Sequence, residues 1–208
     1  MKHIAESTVR RLSLYLRFLE DFEAQGHKTI SSGELAAQGG TTSAQVRKDL
    51  SFFGSFGKRG LGYSVSALAQ SLRAILGLER EWRVVIIGAG KIGAALAQYK
   101  GFRERGFSVV GVYDVDSARI GSALDGLTVK DQATLEADIA ELKPEMALIA
   151  VPGEAAQAIV DRLVDAGVRA ILNFASAPLH VPADVTLRSV NMAVELEILS
   201  YALVNRDN

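Results

Sequence analysis

The sequence predicts an α/β fold in which a small helical domain precedes a larger domain built on a parallel sheet. The predicted strands are short, largely β-branched runs at residues 84–87, 108–113, 146–151, 169–172 and 186–190. Helical patterns separate them at residues 93–103, 131–142 and 154–166. Strands that alternate with helices in this way are typical of a doubly wound, Rossmann-like sheet.

The composition limits the kind of protein this can be. The chain has 208 residues, 49% of them hydrophobic, which is enough for one large or two small domains. No apolar run approaches the roughly 18–20 residues of a membrane span, and no secretory signal is visible at the N-terminus. Cysteine is absent and the three histidines are far apart, so we expect a cytoplasmic protein without membrane or metal partners.

Charge is distributed unevenly along the chain. Residues 1–80 carry 11 basic against 7 acidic side chains, a balance of +4, whereas residues 81–208 carry 12 against 17, a balance of −5. A basic first part and an acidic second part favour nucleic-acid binding by the first part.

Four helices are predicted in the first eighty residues. In the first, Thr8–Glu23, apolar residues recur at three- and four-residue steps, and Ser7 is a candidate N-cap. The second runs over Ser32–Gln38, and the third begins after a cap at Thr42 or Ser43. Two short helices joined by a glycine-bearing turn predict a helix-turn-helix, with a further helix over residues 66–76.

Basic and amide side chains lie where a winged helix-turn-helix contacts DNA. Arginine pairs with guanine edges, glutamine with adenine, and lysine with phosphate. Glycines around a Lys-Arg pair suit a hairpin wing that reaches a narrow minor groove. The candidate DNA contacts are Gln45, Arg47, Lys48, Ser55, Lys58, Arg59 and Gly60. The alternative is an ordinary three-helix bundle whose charges are simply solvated.

A glycine-rich turn follows the first predicted strand of the second domain. Gly88, Gly90 and Gly93 form a G-x-G-x-x-G pattern between strand and helix. Such glycines allow a tight turn, a close approach of backbone to a pyrophosphate, and close helix–strand packing. The free N–H groups of the helix N-terminus then face the phosphates. The pattern predicts dinucleotide binding by Gly88, Ala89, Gly90, Lys91, Ile92 and Gly93.

Other candidate cofactor contacts follow the remaining strands. Asp114 ends the second strand, where a carboxylate accepts hydrogen bonds from ribose hydroxyls and repels a 2′-phosphate, so NADH and NAD⁺ are favoured. The alternative is that Asp114 caps a helix from Ser117 onward, for which Asp116 is the better candidate. Val151 and Pro152 lie at the end of the predicted strand 146–151, and Asn173 and Phe174 follow the predicted strand 169–172; these four are placed near the nicotinamide half.

No usual acid–base constellation accompanies this predicted cofactor site. There is no Tyr-x-x-x-Lys pair, and His180, between two prolines, is interpreted as structural. We therefore expect a protein that binds the cofactor without catalysis. Two rival interpretations stay open: an NAD-dependent oxidoreductase with an accessory domain, and a module for another nucleotide such as coenzyme A.

The last predicted helix carries an apolar stripe. Met192, Leu196, Leu199 and Leu203 recur at helical spacing, which suits either a partner helix or packing on the chain's own sheet. The predicted division is therefore a winged-helix domain at 1–79, a Rossmann domain at 80–190 and a C-terminal dimerisation helix at 191–208.

Six sequence blocks, in order, resemble the Rex family of redox-sensing transcriptional repressors. The blocks are residues 11–19, 45–54, 57–63, 88–93, 171–174 and 194–196. The resemblance implies a homodimer that binds a palindromic double-stranded operator when free or bound to NAD⁺. NADH then closes the dimer and releases the DNA. It also implies a C-terminal helix that is swapped between protomers.

The same resemblance assigns roles near the nicotinamide. Met192 matches a residue that the family inserts beside the partner's nicotinamide. Arg17 and Tyr99 match positions that the family links through an aspartate before the last helix, where this chain has Asn191. An amide hydrogen-bonds without the charge assistance that roughly doubles the strength of such a bond. We therefore expect a weaker link between Arg17 and Tyr99 through Asn191 than an aspartate would give.

Overall fold

The computed structural model describes residues 4–58 and 61–206. The chain divides into two compact units, residues 1–80 and 81–208. The finer division of the second unit at residue 190 stays a prediction. None of the described helices is both long and apolar enough to cross a membrane.

The described residues of the first unit form four helices and a small antiparallel sheet. The helices are α1 (Glu6–Ala24), α2 (Ser32–Gln38), α3 (Ser43–Ser51) and α4 (Val65–Ile75). The strands are β1 (Thr29–Ile30), β2 (Gly57–Lys58) and β3 (Gly62–Ser64), in the order β1-β3-β2. The helix-turn-helix is thus α2 and α3, and β2 with β3 forms the predicted wing.

Capping side chains set most of the helix starts in this unit. Ser31 and Glu34 form a reciprocal capping box at α2, and Thr42 accepts the Gln45 backbone N–H at α3. The prediction of Ser7 as the α1 cap was wrong, because the helix begins at Glu6, two residues before the predicted start at Thr8, and its N-cap Ala5 has no side-chain cap. The helix is instead stabilised by packing of its buried face, which is where most helical stability in proteins comes from.

The second unit is a seven-stranded sheet in the order β10-β9-β8-β4-β5-β7-β6. Its strands are β4 (Trp82–Ile87), β5 (Phe107–Asp114), β6 (Ala123–Leu124), β7 (Leu127–Asp131), β8 (Met146–Ile149), β9 (Ala170–Asn173) and β10 (Thr186–Ser189). All pair in parallel except β6, which is antiparallel to β7. The Rossmann-like parallel sheet is confirmed; β6 and β7 were not predicted.

Residues 81–206, the part of this unit that the structure describes, contain five α-helices. They are α5 (Lys91–Ala97), α6 (Lys100–Glu104), α7 (Leu135–Leu142), α8 (Gly153–Asp165) and α9 (Met192–Val204). The single helix predicted at 93–103 is two helices, because the chain leaves the helical conformation at Tyr99, the N-cap of α6. Likewise, the helix predicted from residue 131 begins with a 3₁₀ turn at Gln132–Thr134 before α7.

Alternate residues of the central strand serve opposite faces of the sheet. Val85 and Ile87 pack with α7 and α8, whereas Val84 and Ile86 pack on the α5 side. On this second side an open groove of about 310 Å³, lined mainly by apolar side chains such as Met146 and Leu172, runs over β8 to β10. The apolar α9 buries none of its own residues.

Candidate cofactor and DNA sites

The glycine turn joins β4 to α5, and two of its glycines are required by packing. Gly88 has φ +101°, and a Cβ there would overlap the carbonyl oxygen of Ala150 on the neighbouring strand's end. A Cβ on Gly93 would overlap the carbonyl oxygen of Gly88. Both positions therefore exclude larger residues, and together they hold the start of α5 tightly against the sheet.

Gly90 behaves differently from its two neighbours. It has φ −68°, which any residue adopts, and a Cβ there would meet no described atom within 4 Å. Packing of the described chain therefore does not explain a glycine at this position. A group that approaches the backbone from outside does explain it, and the pyrophosphate of a dinucleotide is such a group.

The N-terminus of α5 supplies donors for that group. Gly90 is its N-cap and offers no side-chain cap, so the first N–H groups are available to an anion, as in other phosphate-binding turns. Lys91 and Ile92 are exposed on this turn. The geometry fits a dinucleotide, and contacts by Ala89, Lys91 and Ile92 stay predictions.

Asp114 is tied firmly to the glycine turn. Its Oδ2 accepts the Ala89 N–H at 2.7 Å and an Arg119 N–H at 3.2 Å, and its Oδ1 accepts the N–H groups of Val115 and Asp116. Burial alone would raise the pKa of Asp114, but these hydrogen bonds outweigh it and keep the pKa below its ordinary value. The carboxylate thus stays ionised and shapes the turn.

The alternative, a cap on a helix from Ser117 onward, is not what the structure shows. Asp114 accepts the N–H groups of Val115 and Asp116, no described helix follows it before β6, and Asp116 accepts the Ala118 N–H in the turn. Asp114 also retains a small exposed fraction, 5%, at the end of the strand. Ribose binding by this residue stays a prediction.

The candidate nicotinamide residues end adjacent parallel strands, so they lie at the same edge of the sheet as the glycine turn. Val151 follows β8 and would contact a Cβ on Gly88 at 3.1 Å, while Pro152 is the N-cap of α8. Phe174, half-buried, follows β9 and donates its N–H to Ile149. The topology brings these predicted contacts together.

Asn173 is an exception, because its side chain is used inside the fold. It is fully buried; its Oδ1 accepts the Ala175 N–H, and its Nδ2 donates to the carbonyls of Ala175 and Ala177 and to the Ser189 hydroxyl. Direct contact of this amide with a cofactor would break those bonds. Its structural part is to shape the loop between β9 and β10.

The three predicted switch residues lie on exposed positions. Asn191 is the N-cap of α9, where its Oδ1 accepts the Ala193 N–H at 3.0 Å. Tyr99 packs edge-on against Phe102, with ring centroids 5.1 Å apart. Arg17 is exposed on α1. Met192, the predicted nicotinamide neighbour, is 64% exposed at the start of α9.

The candidate DNA surface lies on α3 and the wing. Arg47 is exposed and donates to the Ser32 hydroxyl at 2.9 Å, and Lys48 is exposed one residue later. A groove of about 730 Å³ between α3 and the wing is lined in part by Arg47, Ser51 and Ser55. The predicted contacts Arg59 and Gly60, and the side chain of Lys58, lie outside the described residues.

Gln45 differs from the other α3 candidates because it faces a buried acid. It is only half-exposed, and its Nε2 donates to Asp49 Oδ1 at 2.8 Å. Asp49 is fully buried and forms an ion pair with Arg11 of α1. The sequence interpretation missed Asp49; its signal was an acid on the same helix side as Val46 and Leu50.

The fold and these sites define a class of protein: a winged-helix DNA-binding unit joined to a dinucleotide-binding unit. Family models described as "Putative DNA-binding protein N-terminus" and "CoA binding domain" match residues 3–51 and 79–177 respectively.

Full-length relatives make the assignment specific. The chain is 50% identical over 205 residues to the redox-sensing transcriptional repressor Rex of Syntrophomonas wolfei, covering 98% of both chains. It is 47% identical to Rex of Pelotomaculum thermopropionicum, covering 99% of this chain and 96% of the relative. The chain belongs to the Rex family of redox-sensing transcriptional repressors.

Solved structures agree with this assignment. The Rex-family repressor RSP in complex with β-NAD⁺ and operator DNA superposes with a TM-score of 0.94 at 38% identity, covering 100% of this chain and 95% of RSP. RSP in complex with β-NADH gives a TM-score of 0.91 at 37% identity, covering 100% and 97%.

Proposed function

We propose that this chain is a cytoplasmic transcriptional repressor that senses the ratio of NADH to NAD⁺. As a homodimer it binds a palindromic operator in its free or NAD⁺-bound form and releases it when NADH binds. The observation that carries this proposal is Gly90, an open glycine in a phosphate-binding turn, in a chain that also has a winged helix.

The DNA half of the proposal rests on charge and shape. Arg47 and Lys48 are exposed on the recognition helix α3, whose N-terminal part would enter the major groove. The serine-lined groove beside Arg47 suits a phosphate of the DNA backbone, because hydroxyl and guanidinium groups are common phosphate donors. RSP, a relative of the same fold, was solved with operator DNA.

The cofactor half rests on the glycine turn and on Asp114. An ionised carboxylate at the ribose edge repels the 2′-phosphate of NADP(H), and it also repels the ribose phosphate of coenzyme A. This favours NADH and NAD⁺ over both, although the matching family model carries the coenzyme A name. RSP was solved with both β-NAD⁺ and β-NADH.

The dimer is supported by a surface that the chain does not cover by itself. Met192, Leu196, Leu199 and Leu203 of α9 are all more than half exposed. The apolar groove over β8 to β10 is a second exposed apolar surface of the same unit. Exposed apolar patches of this kind mark association sites, and homo-oligomers are most often twofold dimers.

A regulatory role, rather than a catalytic one, follows from the relatives, which are named as repressors. The competing oxidoreductase interpretation predicts that some alcohol or acid changes the absorbance of bound nicotinamide. Under the proposed function no such substrate is expected.

One titration tests the proposal as a whole. The full chain selects duplexes from a random-sequence pool, and the selected duplex is then titrated without cofactor and with NAD⁺, NADH, NADPH or coenzyme A. We expect an inverted-repeat site, tight binding with NAD⁺, and loss of binding with NADH alone. Moving a two-state dimer from mostly bound to mostly released takes roughly 5 kcal/mol of preference by NADH. Binding that ignores saturating NADH would refute the repressor function.

A further inference from the structure

A buried carboxylate lies on the inner face of the recognition helix. Asp49 of α3 is fully buried, yet its pKa lies below its ordinary value: burial would raise it, but hydrogen bonds from Arg11, Gln45 and Tyr15 outweigh that effect. The group is therefore a fixed anion inside the first unit. Each of its neighbours must present a donor to it.

Helix α1 supplies most of those donors and holds the carboxylate rigidly. Arg11 binds it through two parallel bonds, Nε to Oδ2 at 2.6 Å and Nη2 to Oδ1 at 2.7 Å. Tyr15 donates its hydroxyl to Oδ2 at 3.0 Å, and Thr8 lies 3.5 Å from Oδ1. A bidentate arginine fork fixes both the position and the plane of a carboxylate.

Gln45 is the one partner that also belongs to the candidate DNA surface. It is the third residue of α3, where residues of a recognition helix face base edges. Its Nε2 donates to Asp49 at 2.8 Å. An ionised carboxylate can only accept hydrogen bonds, so the carbonyl oxygen of the Gln45 amide cannot bond to Asp49 in place of the Nε2 group. Asp49 thereby sets which way the amide of Gln45 is turned.

We propose that Asp49 is a positioning residue for sequence recognition, and that it presets the amide of Gln45 to read adenine. One N–H of the amide is held by Asp49, which leaves the carbonyl oxygen and one N–H for DNA. This acceptor–donor pair matches the N6–H donor and N7 acceptor of adenine in the major groove. Guanine presents two acceptors there, N7 and O6, so its O6 would face the carbonyl oxygen of Gln45 and the two acceptors would repel each other.

The proposal rests on the proposed function, since it assigns one base preference within the operator. The wild-type chain should favour adenine at one position of each half-site by about tenfold or more, as a bidentate glutamine–adenine pair does. Gln45→Ala removes this preference. Asp49→Asn also weakens it, because an asparagine can donate or accept and so permits both amide orientations.

The experiment compares duplexes from the random-pool selection that differ at single positions. Affinities are measured for the wild-type protein, Gln45→Ala, Asp49→Asn and the double variant, at one salt concentration. We expect both single substitutions to reduce the preference for adenine at the same position of the duplex. The double variant should show no smaller preference there than Gln45→Ala does, which is the sign that the two residues are coupled. Binding to unrelated duplexes, dominated by phosphate contacts, should change little.

Tyr15→Phe is the matched structural control. It removes one donor to Asp49 and lowers thermal stability, but the two bonds from Arg11 still hold the carboxylate, so the adenine preference should persist. If Asp49 has only a structural role, Tyr15→Phe and Asp49→Asn should instead lower the affinity for all duplexes by the same factor.

If Asp49→Asn does not fold, the wild-type protein still provides a test. In its NMR spectrum, the side-chain amide protons of Gln45 should exchange with water more slowly than those of the exposed Gln70. Equal exchange rates overturn the proposal, as does an Asp49→Asn protein that keeps the full adenine preference. These two results leave the repressor function intact. If the wild-type chain selects no duplex at all, the proposed function fails too, so the failure of the role of Asp49 and the failure of the proposed function can be distinguished.

Discussion

Replacing Gly90 with alanine should separate cofactor binding from folding. A methyl group at this position meets no described atom within 4 Å, and φ of −68° suits alanine. Alanine reduces unfolded-state freedom but is a poorer N-cap than glycine. These opposing effects leave the free energy of unfolding within about 1 kcal/mol of wild type.

The same methyl group would occupy the space through which a pyrophosphate approaches the N-terminus of α5. Loss of one hydrogen bond to a charged group is worth about 1.5–3 kcal/mol. We therefore expect NADH affinity to fall by about tenfold to a hundredfold. The Gly90→Ala repressor should still bind its operator, but much higher NADH should be needed to release it.

Gly93→Ala is the contrasting variant. Its methyl group would overlap the carbonyl oxygen of Gly88, so α5 must shift away from the sheet. Overpacking of this kind costs about 1–3 kcal/mol, and for a chain of this size each kcal/mol lowers Tm by about 2–4 °C.

The assay pairs a thermal melt with a fluorescence titration of NADH for both variants and the wild-type protein. Gly90→Ala should change affinity and keep Tm, whereas Gly93→Ala should lower Tm. If Gly90→Ala binds NADH as tightly as the wild-type protein does, the pyrophosphate does not bind beside Gly90 and the assignment of the cofactor site to this turn is wrong.

Three further outcomes are expected. Asn191→Asp should widen the ratio of operator affinities between the NAD⁺ and NADH forms, and equal ratios by gel shift would count against a charge switch at this position. Leu199→Glu should weaken the proposed dimer by about 3–6 kcal/mol, because each protomer loses one exposed leucine that dimerisation would bury; unchanged sedimentation would contradict this. Asp138, which accepts bonds from Tyr113 and Lys130, has a lowered pKa. Its stabilising effect should be present above about pH 4 and lost as pH falls further, so Asp138→Asn and wild type should converge in acid urea unfolding.

The sequence predicted the parts of the fold that show a regular hydrophobic pattern or a glycine-bearing turn. The strand–helix alternation and the α2–α3 pair are in the structure as expected, and Thr42 caps α3 as one of two candidates. Hydrophobic periodicity is enough for such elements, since burial of one face decides them. Local pattern did not predict β7, because only Val129 of its five residues is buried and the apolar signal is therefore weak.

Polar contacts inside the fold were beyond the sequence for a different reason. Nothing near Asn173 indicates that its amide bonds Ser189, and nothing near Asp49 indicates an arginine 38 residues earlier in the chain. Such hydrogen bonds depend on which elements pack together in the folded chain. Two residues with the same local sequence pattern can therefore face either the core or a ligand. The sequence therefore placed Asn173 beside the cofactor, whereas its amide is used by the fold.

Helix α9 has 13 residues and none of them is buried by its own chain. Helices of about 12–15 residues are only marginally stable in water without packing. Its order and the association of two chains are therefore linked by mass action. Dilution would both separate the protomers and loosen this helix, so apparent stability should rise with protein concentration.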